Sequence, residues 1–548
     1  MQPEAAVRQP RARTVLPAVL ASPAQRRNFV IVLAIAVAAF LLLCLPNYAA
    51  SQNPAMVAMF EPDEAAQLPV ALHMTAPAAS LNQALRSFIF YDWYYYGFPF
   101  FGVSAALLEP IRWLGAIGNT SLVMLVLRQG VSVLPMLAAL MLLIYMLDGY
   151  RTYRSPLIFV FLLTVPAVLL NNFWWHADSI TFLFVVLTLL FLWRDQLRFG
   201  WNFALAAVMT GVATAAKVVG VYFFLCVGLT LVLGLLLKKA SWKRLAGMAL
   251  AYLGLMAVSF VAANPFLLSH WARTAYIQTM TKQSEILSQG YGVVYGKGLL
   301  VSWPTVKDFY GQWPYMLVTL GAVLWGILRG KDRLLHGLIL ALFIPLSVSV
   351  FWFTHFKFQY WIPAAVPMLS SLVVLFPERW KDLRIPSIPG VLRAAGILIV
   401  VVQLGYFAAN TASNFIGRIH RADGNERIAF YQQTLAALAP LPEIPLHVYY
   451  DYRLYVPETH GWRTETSFDL LDYTTIQQGH FDVLMLLEQR NKDYLSPNAV
   501  GIDPKQFALN QQFYRDAENG AITGYHLVYR NPVGSVYVSN GLYQQYFH

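Results

Sequence analysis

Residues 28–46 read NFVIVLAIAVAAFLLLCLP, a run in which only the first residue is strongly polar. A membrane-spanning helix needs about 20 predominantly apolar residues, so this run is long enough to cross a bilayer. It is longer than the apolar core of a signal peptide, and no clear small-x-small cleavage motif follows it. The run therefore predicts an uncleaved first membrane helix. Residues 1–27, which are polar and rich in Arg and Pro, are expected to form a disordered cytoplasmic tail.

The composition of the whole chain is typical of a polytopic α-helical membrane protein. The 548 residues are 57% hydrophobic and 12% charged, which excludes an ordinary soluble enzyme. The apolar runs are long and continuous, unlike the short alternating segments of a membrane β-barrel. The net charge of +11 does not indicate nucleic-acid binding, because most Lys and Arg residues lie in short loops between apolar runs. Cys44 and Cys226 lie inside such runs and are expected to be packing residues.

Eleven spans are predicted within a transmembrane domain over residues 28–408. This count treats residues 98–118 as a juxtamembrane or half-inserted helix, because Pro99, Glu109 and Arg112 interrupt that segment. The basic loops then all fall on one side, with the N-terminus. If residues 98–118 cross the membrane, the count becomes twelve and the basic-loop rule fails for half of the chain.

The side opposite the basic loops is predicted to carry two long outer loops, 47–118 and 264–312, and a soluble α/β domain formed by residues 409–548. Within that domain the residue pattern predicts one amphipathic helix and three strands. The predicted elements are the helix over 425–438 and the strands over 446–450, 481–487 and 534–538.

The acidic cluster Glu61-Pro62-Asp63-Glu64 follows the first span closely. Carboxylates at a bilayer face are costly, so they need a chemical or a structural reason. Pro62 suits the first turn of a helix, and carboxylates in that turn favour the positive end of the helix dipole. A carboxylate here can equally accept a proton from an incoming hydroxyl or hold a cation. The cluster alone leaves helix capping and catalysis open.

Other unusual polar residues also fall at the predicted outer ends of spans, namely His176, Asp178, Lys217, Asn264, His355 and Lys357. This convergence predicts a shared polar cavity at the outer interface. Arg128 lies inside the second span, where it would pair with a carboxylate of the acidic cluster or with a ligand phosphate.

Each of these residues also has a plainer interpretation. Asp178 can act as a helix-capping or first-turn acid, and Lys217 can extend to the lipid headgroups. His355 and Lys357 can bind headgroups as well. Trp174 and Trp175 are typical of an interfacial aromatic belt.

The polar groups together suit one type of reaction. Cations at the outer interface stabilise the charge that grows on a departing phosphate, and a carboxylate removes the proton of an attacking hydroxyl. The combination favours a transferase with a lipid-linked phosphate donor, whose hydrocarbon tail would lie between helices. A transporter or flippase for a lipid-linked sugar is an alternative, although transporters usually place charged residues near the membrane midplane. A third possibility is a non-catalytic scaffold with the outer domain as its binding module.

Five short segments occur in a characteristic order over residues 28–376: Asp63-Glu64, Leu127-Arg128-Gln129-Gly130, His176-Ala177-Asp178, Ala216-Lys217-Val218 and His355-Phe356-Lys357-Phe358-Gln359-Tyr360. In this order they resemble the polyprenyl-phosphate-sugar-dependent glycosyltransferases of the GT-C fold. The likeness is to bacterial members related to protein O-mannosyltransferases and to the aminoarabinose transferase of lipid A.

The resemblance implies a bacterial inner-membrane enzyme that transfers a hexose or pentose from a polyprenyl phosphate to an acceptor outside the cytoplasm. The acceptor would be a hydroxyl or phosphate of a protein, lipid or polysaccharide, and the single displacement would invert the anomeric carbon. Asp63 is the implied general base, and Glu64 would orient Asp63 or hydrogen-bond the sugar. The implied contacts of the remaining residues are the donor phosphate for Arg128, Lys217, His355 and Lys357, and the acceptor or sugar for His176 and Asp178.

The chain departs from the family pattern in two places. Tyr96-Gly97-Phe98-Pro99 stands where a His-Pro-Pro-type segment is common, which leaves the acceptor open. The first outer loop has no Asp-x-Asp pair, so no cofactor is expected to be required, although Asp63 and Asp178 could share a cation. A glycan polymerase or ligase that uses a pyrophosphate-linked donor is the alternative enzyme.

Overall fold

The computed structural model describes residues 22–379, 388–458 and 461–547. Most of the predicted tail, residues 1–27, lies outside the described residues. The predicted first span is present within helix α1 (Pro23–Ala49), which begins before Asn28. Ser22 and Gln25 form a reciprocal capping box at its start, and proline suits the first helical position that Pro23 occupies.

The rest of the described chain up to residue 419 is mostly helical. Its further helices are α2 (Pro54–Phe60), α3 (Pro62–Met74), α4 (Leu81–Ile89), α5 (Phe98–Trp113), α6 (Thr120–Leu127), α7 (Leu134–Asp148), α8 (Arg154–Thr164), α9 (Pro166–Asn171), α10 (Asp178–Asp195), α11 (Trp201–Ala216), α12 (Phe224–Leu236), α13 (Trp242–Ala263), α14 (His270–Gln289), α15 (Leu299–Tyr310), α16 (Trp313–Arg329), α17 (Arg333–Val348), α18 (Phe358–Ser370) and α19 (Ile388–Ile419).

Six helical segments in the described part are long and apolar enough to cross a membrane. The pair α15 and α16, bent by 79° at its break, gives a seventh if it counts as one span. The six are Pro23–Ala49, Thr120–Asp148, Trp242–Ala263, Arg333–Phe353, Phe358–Leu375 and Gly390–Ile419. The segments predicted as the other spans form helices that are shorter, or carry more charged residues, than these six. The eleven-span topology therefore stays a prediction.

Helices α10 and α11 lie at the centre of the bundle. Helix α10 packs against α7, α11 and α18, and α11 packs against α13. Most residues of α10 are buried. A helix enclosed in this way needs apolar residues on all sides, which explains its continuous hydrophobic sequence.

The two predicted outer loops contain several helices and one hairpin. The first loop forms α2 to α5, and the predicted helix in 98–118 is present as α5, which packs against α3, α6 and α11. The second loop forms α14 and α15, with strands β1 (Gly290–Tyr291) and β2 (Val293–Val294) paired antiparallel between them.

The C-terminal part is a mixed sheet with helices around it. Its helices are α20 (Glu426–Ala437), α21 (Tyr473–Gly479), α22 (Glu488–Leu495), α23 (Pro504–Glu518) and α24 (Asn540–Tyr546). Its strands are β3 (His447–Tyr450), β4 (Arg463–Glu465), β5 (Val483–Leu487), β6 (Tyr525–Arg530) and β7 (Gly534–Ser539).

The five strands lie in the order β4-β3-β5-β7-β6. Strand β3 is parallel to β4 and β5, whereas β7 is antiparallel to β5 and β6. The amphipathic helix and all three predicted strands are present, as α20, β3, β5 and β7. Every residue of β5 is buried, as expected for a central strand with apolar clusters on both faces. The sequence did not predict β4 or β6.

Candidate active site

The acidic cluster lies at the junction of two helices of the first outer loop. Helix α2 ends at Phe60, and α3 begins at Pro62. Asp63 and Glu64 occupy the first turn of α3, where carboxylates interact favourably with the helix dipole. The predicted helix start is therefore present. The three carboxylates of the cluster differ in the residues that they contact.

Glu64 is completely buried in an ion pair with Arg128. The guanidinium donates two hydrogen bonds to the carboxylate, from Nε at 3.0 Å and from a terminal nitrogen at 2.5 Å. The backbone N–H of Trp175 donates a third, at 2.5 Å. Glu64 thus links the first outer loop to the second membrane segment and to the loop before α10.

The remaining donor group of Arg128 is also satisfied within the protein. Its second terminal nitrogen donates to the carbonyl of Asn47 at 2.9 Å and to the hydroxyl of Ser51 at 2.6 Å. Arg128 begins a π-helical turn, Arg128–Val133, between α6 and α7. Such turns often occur at functional sites. Of the two partners that the sequence left open for Arg128, the structure pairs it with a carboxylate.

Glu61 is held by two arginines that follow the last predicted span. Its Oε1 lies 2.7 Å from a nitrogen of Arg418 and 3.0 Å from a nitrogen of Arg421. Burial raises the pKa of the Glu61 carboxyl, but the combined charge of the two arginines outweighs this effect. The pKa of Glu61 therefore lies below its usual value.

Asp63 is the carboxylate of the cluster that forms neither a hydrogen bond nor an ion pair with another described residue. It is half-buried and interacts electrostatically with Tyr96, Lys217 and Tyr360. It is therefore the one member of the cluster whose oxygens are not already occupied by protein donors within the described chain.

A chain of polar contacts runs beside Asp63. The hydroxyl of Tyr96 lies 2.5 Å from Nε2 of His176, and Nδ1 of His176 contacts Asp178. The other oxygen of Asp178 accepts a hydrogen bond from Lys217 at 2.5 Å. His176 and Asp178 are almost fully buried, whereas 22% of the Lys217 side chain is exposed. Asp178 is thus a first-turn acid of α10 that also fixes the lysine.

Three of these residues line a cavity of about 930 Å³. Its polar end contains Tyr96, Asp178, Lys217 and Tyr360. The rest of its wall is mostly apolar and includes Val218, Val219, Phe224, Leu225, Leu346, Val348 and Phe353. A π-helical turn over Ser349–Phe353 forms part of this wall.

Two lysines lie on the ring of Tyr360. The ammonium of Lys217 is 4.4 Å from the ring centroid, and that of Lys357 is 6.0 Å from it. In the described chain no carboxylate pairs with Lys357, which is exposed. Two cations near one aromatic ring, one of them without a carboxylate partner in the described chain, form a site that attracts an anion.

His355 lies beside this site but outside the cavity wall. Its backbone N–H bonds to the carbonyl of Leu287 at 2.7 Å, and its ring packs on Tyr295 with 4.3 Å between centroids. Tyr295 belongs to the loop after β2, so the ring contact links the second outer loop to the segment before α18. Burial lowers the pKa of His355, and the charge of Lys357 lowers it further.

Several residues of the site were not predicted as site residues. Tyr96 and Tyr360 stand in two of the short segments compared with the family, but no role was assigned to either, because tyrosine is common in this chain, which contains 30 of them. The predicted membrane-belt position of Trp175 is wrong, since its ring is fully buried against Phe100 and donates to Ser104 at 2.9 Å. The side-chain oxygen of Asn264 accepts a hydrogen bond from the backbone N–H of Phe98 at 2.8 Å, and Asn264 does not line the cavity.

Metal ligation is not evident from side-chain clusters. Among the described residues no group of three or more His, Cys, Asp or Glu side chains is arranged to hold a metal ion. The cation that Asp63 and Asp178 could share would compete with Lys217, which already lies on Asp178.

Two solved structures with a similar architecture come from different organisms. One is ArnT from Cupriavidus metallidurans bound to undecaprenyl phosphate, which has a TM-score of 0.50 and 13% identity, and covers 92% of this chain and 97% of that one. The other is the oligosaccharyltransferase AglB from Archaeoglobus fulgidus in complex with an inhibitory peptide and a dolichol-phosphate. Its TM-score is 0.54 with 11% identity, covering 93% of this chain and 80% of that one. The chain has the GT-C fold. No protein-family model matches the sequence, and no curated protein matches it either.

The predicted site residues fall into three groups, with His355 apart from them. Asp178 and Lys217 line the cavity. His176 adjoins its polar end through Tyr96, and Lys357 through the ring of Tyr360. Asp63 interacts electrostatically with Lys217 at that end. Glu64 and Arg128 lie behind Asp63 as a buried pair, and His355 flanks the site at Tyr295.

Proposed function

We propose that this protein is a membrane glycosyltransferase that moves a sugar from a polyprenyl phosphate to an acceptor outside the cytoplasm. The observation that carries the proposal is the position of Asp63. It is a carboxylate without a protein partner among the described residues, and it interacts electrostatically with Lys217, which lines the polar end of a largely apolar cavity. A second lysine, Lys357, lies near the ring of Tyr360 in the same wall. The GT-C fold supports the proposal, since the similar ArnT and AglB structures contain undecaprenyl phosphate and a dolichol-phosphate.

The cavity has the size and polarity for a lipid-phosphate donor. Ligand pockets typically have volumes of about 300–1,000 Å³, and this one has about 930 Å³. The apolar wall from α12 and α17 would take the isoprenoid units nearest to the phosphate. Lys217 and Lys357 would bind the phosphate oxygens, because lysine ammonium groups act as point charges for phosphate.

Asp63 would act as the general base. The acceptor oxygen attacks the anomeric carbon, the bond from that carbon to the phosphate oxygen breaks, and the acceptor proton moves to the Asp63 carboxylate. The products are the glycosylated acceptor and polyprenyl monophosphate. Because attack and departure occur on opposite faces of the sugar in one step, the anomeric configuration inverts.

The neighbouring ion pairs would hold these groups in place. Glu64, fixed by Arg128 and by the backbone of Trp175, sets the position of the first turn of α3 and hence of Asp63. Asp178, fixed by His176, sets the position of Lys217. Positioning of this kind accounts for much of enzymatic rate enhancement. We assign Arg128 this role rather than contact with the phosphate.

The proposed location is the bacterial inner membrane. The basic loops and the N-terminus would face the cytoplasm, and the acidic cluster and the C-terminal α/β domain would lie on the outer side. Membrane lipids and an acceptor of protein, lipid or polysaccharide type are the proposed partners.

The test is release of polyprenyl monophosphate from a panel of polyprenyl-phosphate sugars that are labelled in the sugar. The full chain is reconstituted in vesicles together with extracts of bacterial envelope as a source of acceptors, and vesicles without protein are the control. We expect release of the monophosphate with transfer of label to an acceptor. Label that crosses the bilayer without release would indicate a flippase. Release of a pyrophosphate from a pyrophosphate-linked donor would indicate a polymerase or ligase.

A further inference from the structure

The three carboxylates of the acidic cluster have different surroundings within four residues of chain. Glu64 is occupied by Arg128, and Glu61 by Arg418 and Arg421. Asp63 lies between them along the chain. Both glutamates are thus fixed at their carboxylate ends, and the short backbone between them carries the proposed base.

Arg418 and Arg421 also contact residues other than Glu61. Arg418 donates to the carbonyl of Phe173 and lies over the ring of the same residue, 5.1 Å from its centroid. Arg421 donates to the carbonyl of Ala50 at 2.7 Å and lies 4.0 Å from the ring centroid of Phe60. Arg418 lies in the last turn of α19 and Arg421 two residues beyond its end, so the end of α19 and the turn after it are held to the ends of α1 and α2 and to the loop before α10.

These contacts are shielded from water. The side chains of Glu61, Arg418 and Arg421 are only 17%, 10% and 12% exposed. Removal of one partner from such a group leaves uncompensated buried charge. Without the Glu61 carboxylate, two neighbouring guanidinium groups would repel each other, and the junction between α2 and α3 would lose its link to α19.

We propose that Glu61 is a positioning residue for Asp63, and that Arg418 and Arg421 make the outer end of α19 part of the active site. This inference rests on the proposed function. The Glu61 carboxylate does not touch the substrate. It fixes the backbone two residues before the base, while Glu64 fixes the residue directly after it.

The alternative is that these ion pairs serve stability alone, and the two roles have different kinetic signatures. A positioning residue affects the reacting geometry, so its loss lowers kcat while the KM for the donor, which depends on the lysines and the apolar wall, stays constant. A purely stabilising pair lowers the unfolding temperature without changing kcat of the molecules that remain folded.

The experiment compares kcat and KM of the full-length wild type and Glu61→Gln in vesicles, with the donor that the wild type uses. A displacement of about 1 Å can reduce a rate by about 100-fold, so we expect kcat to fall by about 10- to 100-fold at constant donor KM. The matched control is Asp451→Asn. It breaks the buried ion pair of Asp451 and Arg490, 2.6 Å apart in the C-terminal domain, and should leave kcat unchanged.

A second variant covers the case in which Glu61→Gln does not fold. Arg421→Lys keeps the positive charge but loses the paired contacts with Ala50 and Glu61, and we expect a smaller fall in kcat at unchanged donor KM. An unchanged kcat in the folded variant overturns the inference, as does a rise in donor KM alone. An inactive wild type would instead contradict the proposed function, so the two failures are distinguishable.

Discussion

Glu64 and Arg128 form a two-pronged ion pair in which neither side chain is exposed to solvent. Sixty-four residues separate them along the chain, and the pair joins the first outer loop to the second membrane segment, Thr120–Asp148. Because the guanidinium also binds Asn47 and Ser51, this one pair holds α1, α3 and the π-helical turn between α6 and α7 together next to Asp63.

The first prediction concerns the stability of that pair. Glu64→Gln leaves the Arg128 charge buried without a counter-ion, and breaking a buried pair typically costs about 3–5 kcal/mol. We expect a clear fall in the thermal unfolding temperature of the detergent-solubilised protein. The exposed pair of Lys331 and Glu378 gives the control, because Lys331→Ala should change stability by about 0–1 kcal/mol. Equal unfolding temperatures for the two variants would contradict this prediction.

The second prediction concerns the base. Asp63→Asn removes the proton acceptor but keeps the size of the side chain, so turnover should be abolished while donor binding and unfolding temperature stay near wild type. Asp92→Asn is the matched control. Asp92 is an exposed residue of the same outer loop with a φ of 57°, which asparagine tolerates. Full activity of Asp63→Asn would refute the assignment of the base.

The third prediction concerns the donor phosphate. Lys357→Ala removes a cation that has no carboxylate partner in the described chain. Hydrogen bonds to charged groups contribute about 1.5–3 kcal/mol, so donor affinity should fall by about 10- to 100-fold. Titration of a fluorescent polyprenyl phosphate measures the affinity. Lys282→Ala, at an exposed position of α14, is expected to bind as the wild type does. If Lys357→Ala binds equally well, this lysine does not contact the phosphate.

Much of the site was predictable because topology brings together the ends of spans. If the basic loops lie on one side, Asp63, Asp178, Lys217 and Lys357 lie at the other. In the structure the two lysines are near the Tyr360 ring, Asp178 shares a cavity wall with Tyr360, and Asp63 interacts electrostatically with the same tyrosine. The individual pairings were not predictable. Nothing in the sequence distinguishes Glu64, which takes Arg128, from Asp63, which takes no partner, because the choice depends on which side of the first turn of α3 each side chain occupies.

In the C-terminal sheet, too, some strands were predictable from the sequence and others were not. Strands β3, β5 and β7 are apolar and buried, so their sequences predict them. Strand β4 consists of Arg463, Thr464 and Glu465 at the edge of the sheet, where burial imposes no apolar pattern. The arginines at the outer end of α19 were also missed, since a basic residue after a span is ordinarily read as a contact with headgroups or water.

The fourth prediction concerns pH. The folded-state pKa of His355 lies below its usual value of 6.5 because of burial and of Lys357. The unfolded chain therefore binds a proton near pH 6.5 that the folded chain resists, and stability is lost as the pH falls below that value. We expect His355→Gln to lose less stability than the wild type between about pH 7.5 and about pH 5.5. Thermal unfolding at both values tests this. Parallel pH responses of His355→Gln and the wild type would contradict the prediction.

The fifth prediction concerns the contact between the first outer loop and the bundle. Gly97 lies against the end of α11, where its N–H bonds to the carbonyl of Ala216 at 3.4 Å. A Cβ at this position would overlap the carbonyl oxygen of Ala215. Gly97→Ala must therefore push α5 away from α11, and overpacking of this kind costs about 1–3 kcal/mol.

The same displacement would move Tyr96, the neighbour of Gly97, away from His176 and from the polar end of the cavity. We expect Gly97→Ala to lower both the unfolding temperature and the rate of polyprenyl phosphate release. Gly118→Ala is the control, because a Cβ there meets no atom within 4 Å. If the two alanine variants unfold and react alike, the close approach of the loop to α11 does not determine the geometry of the site.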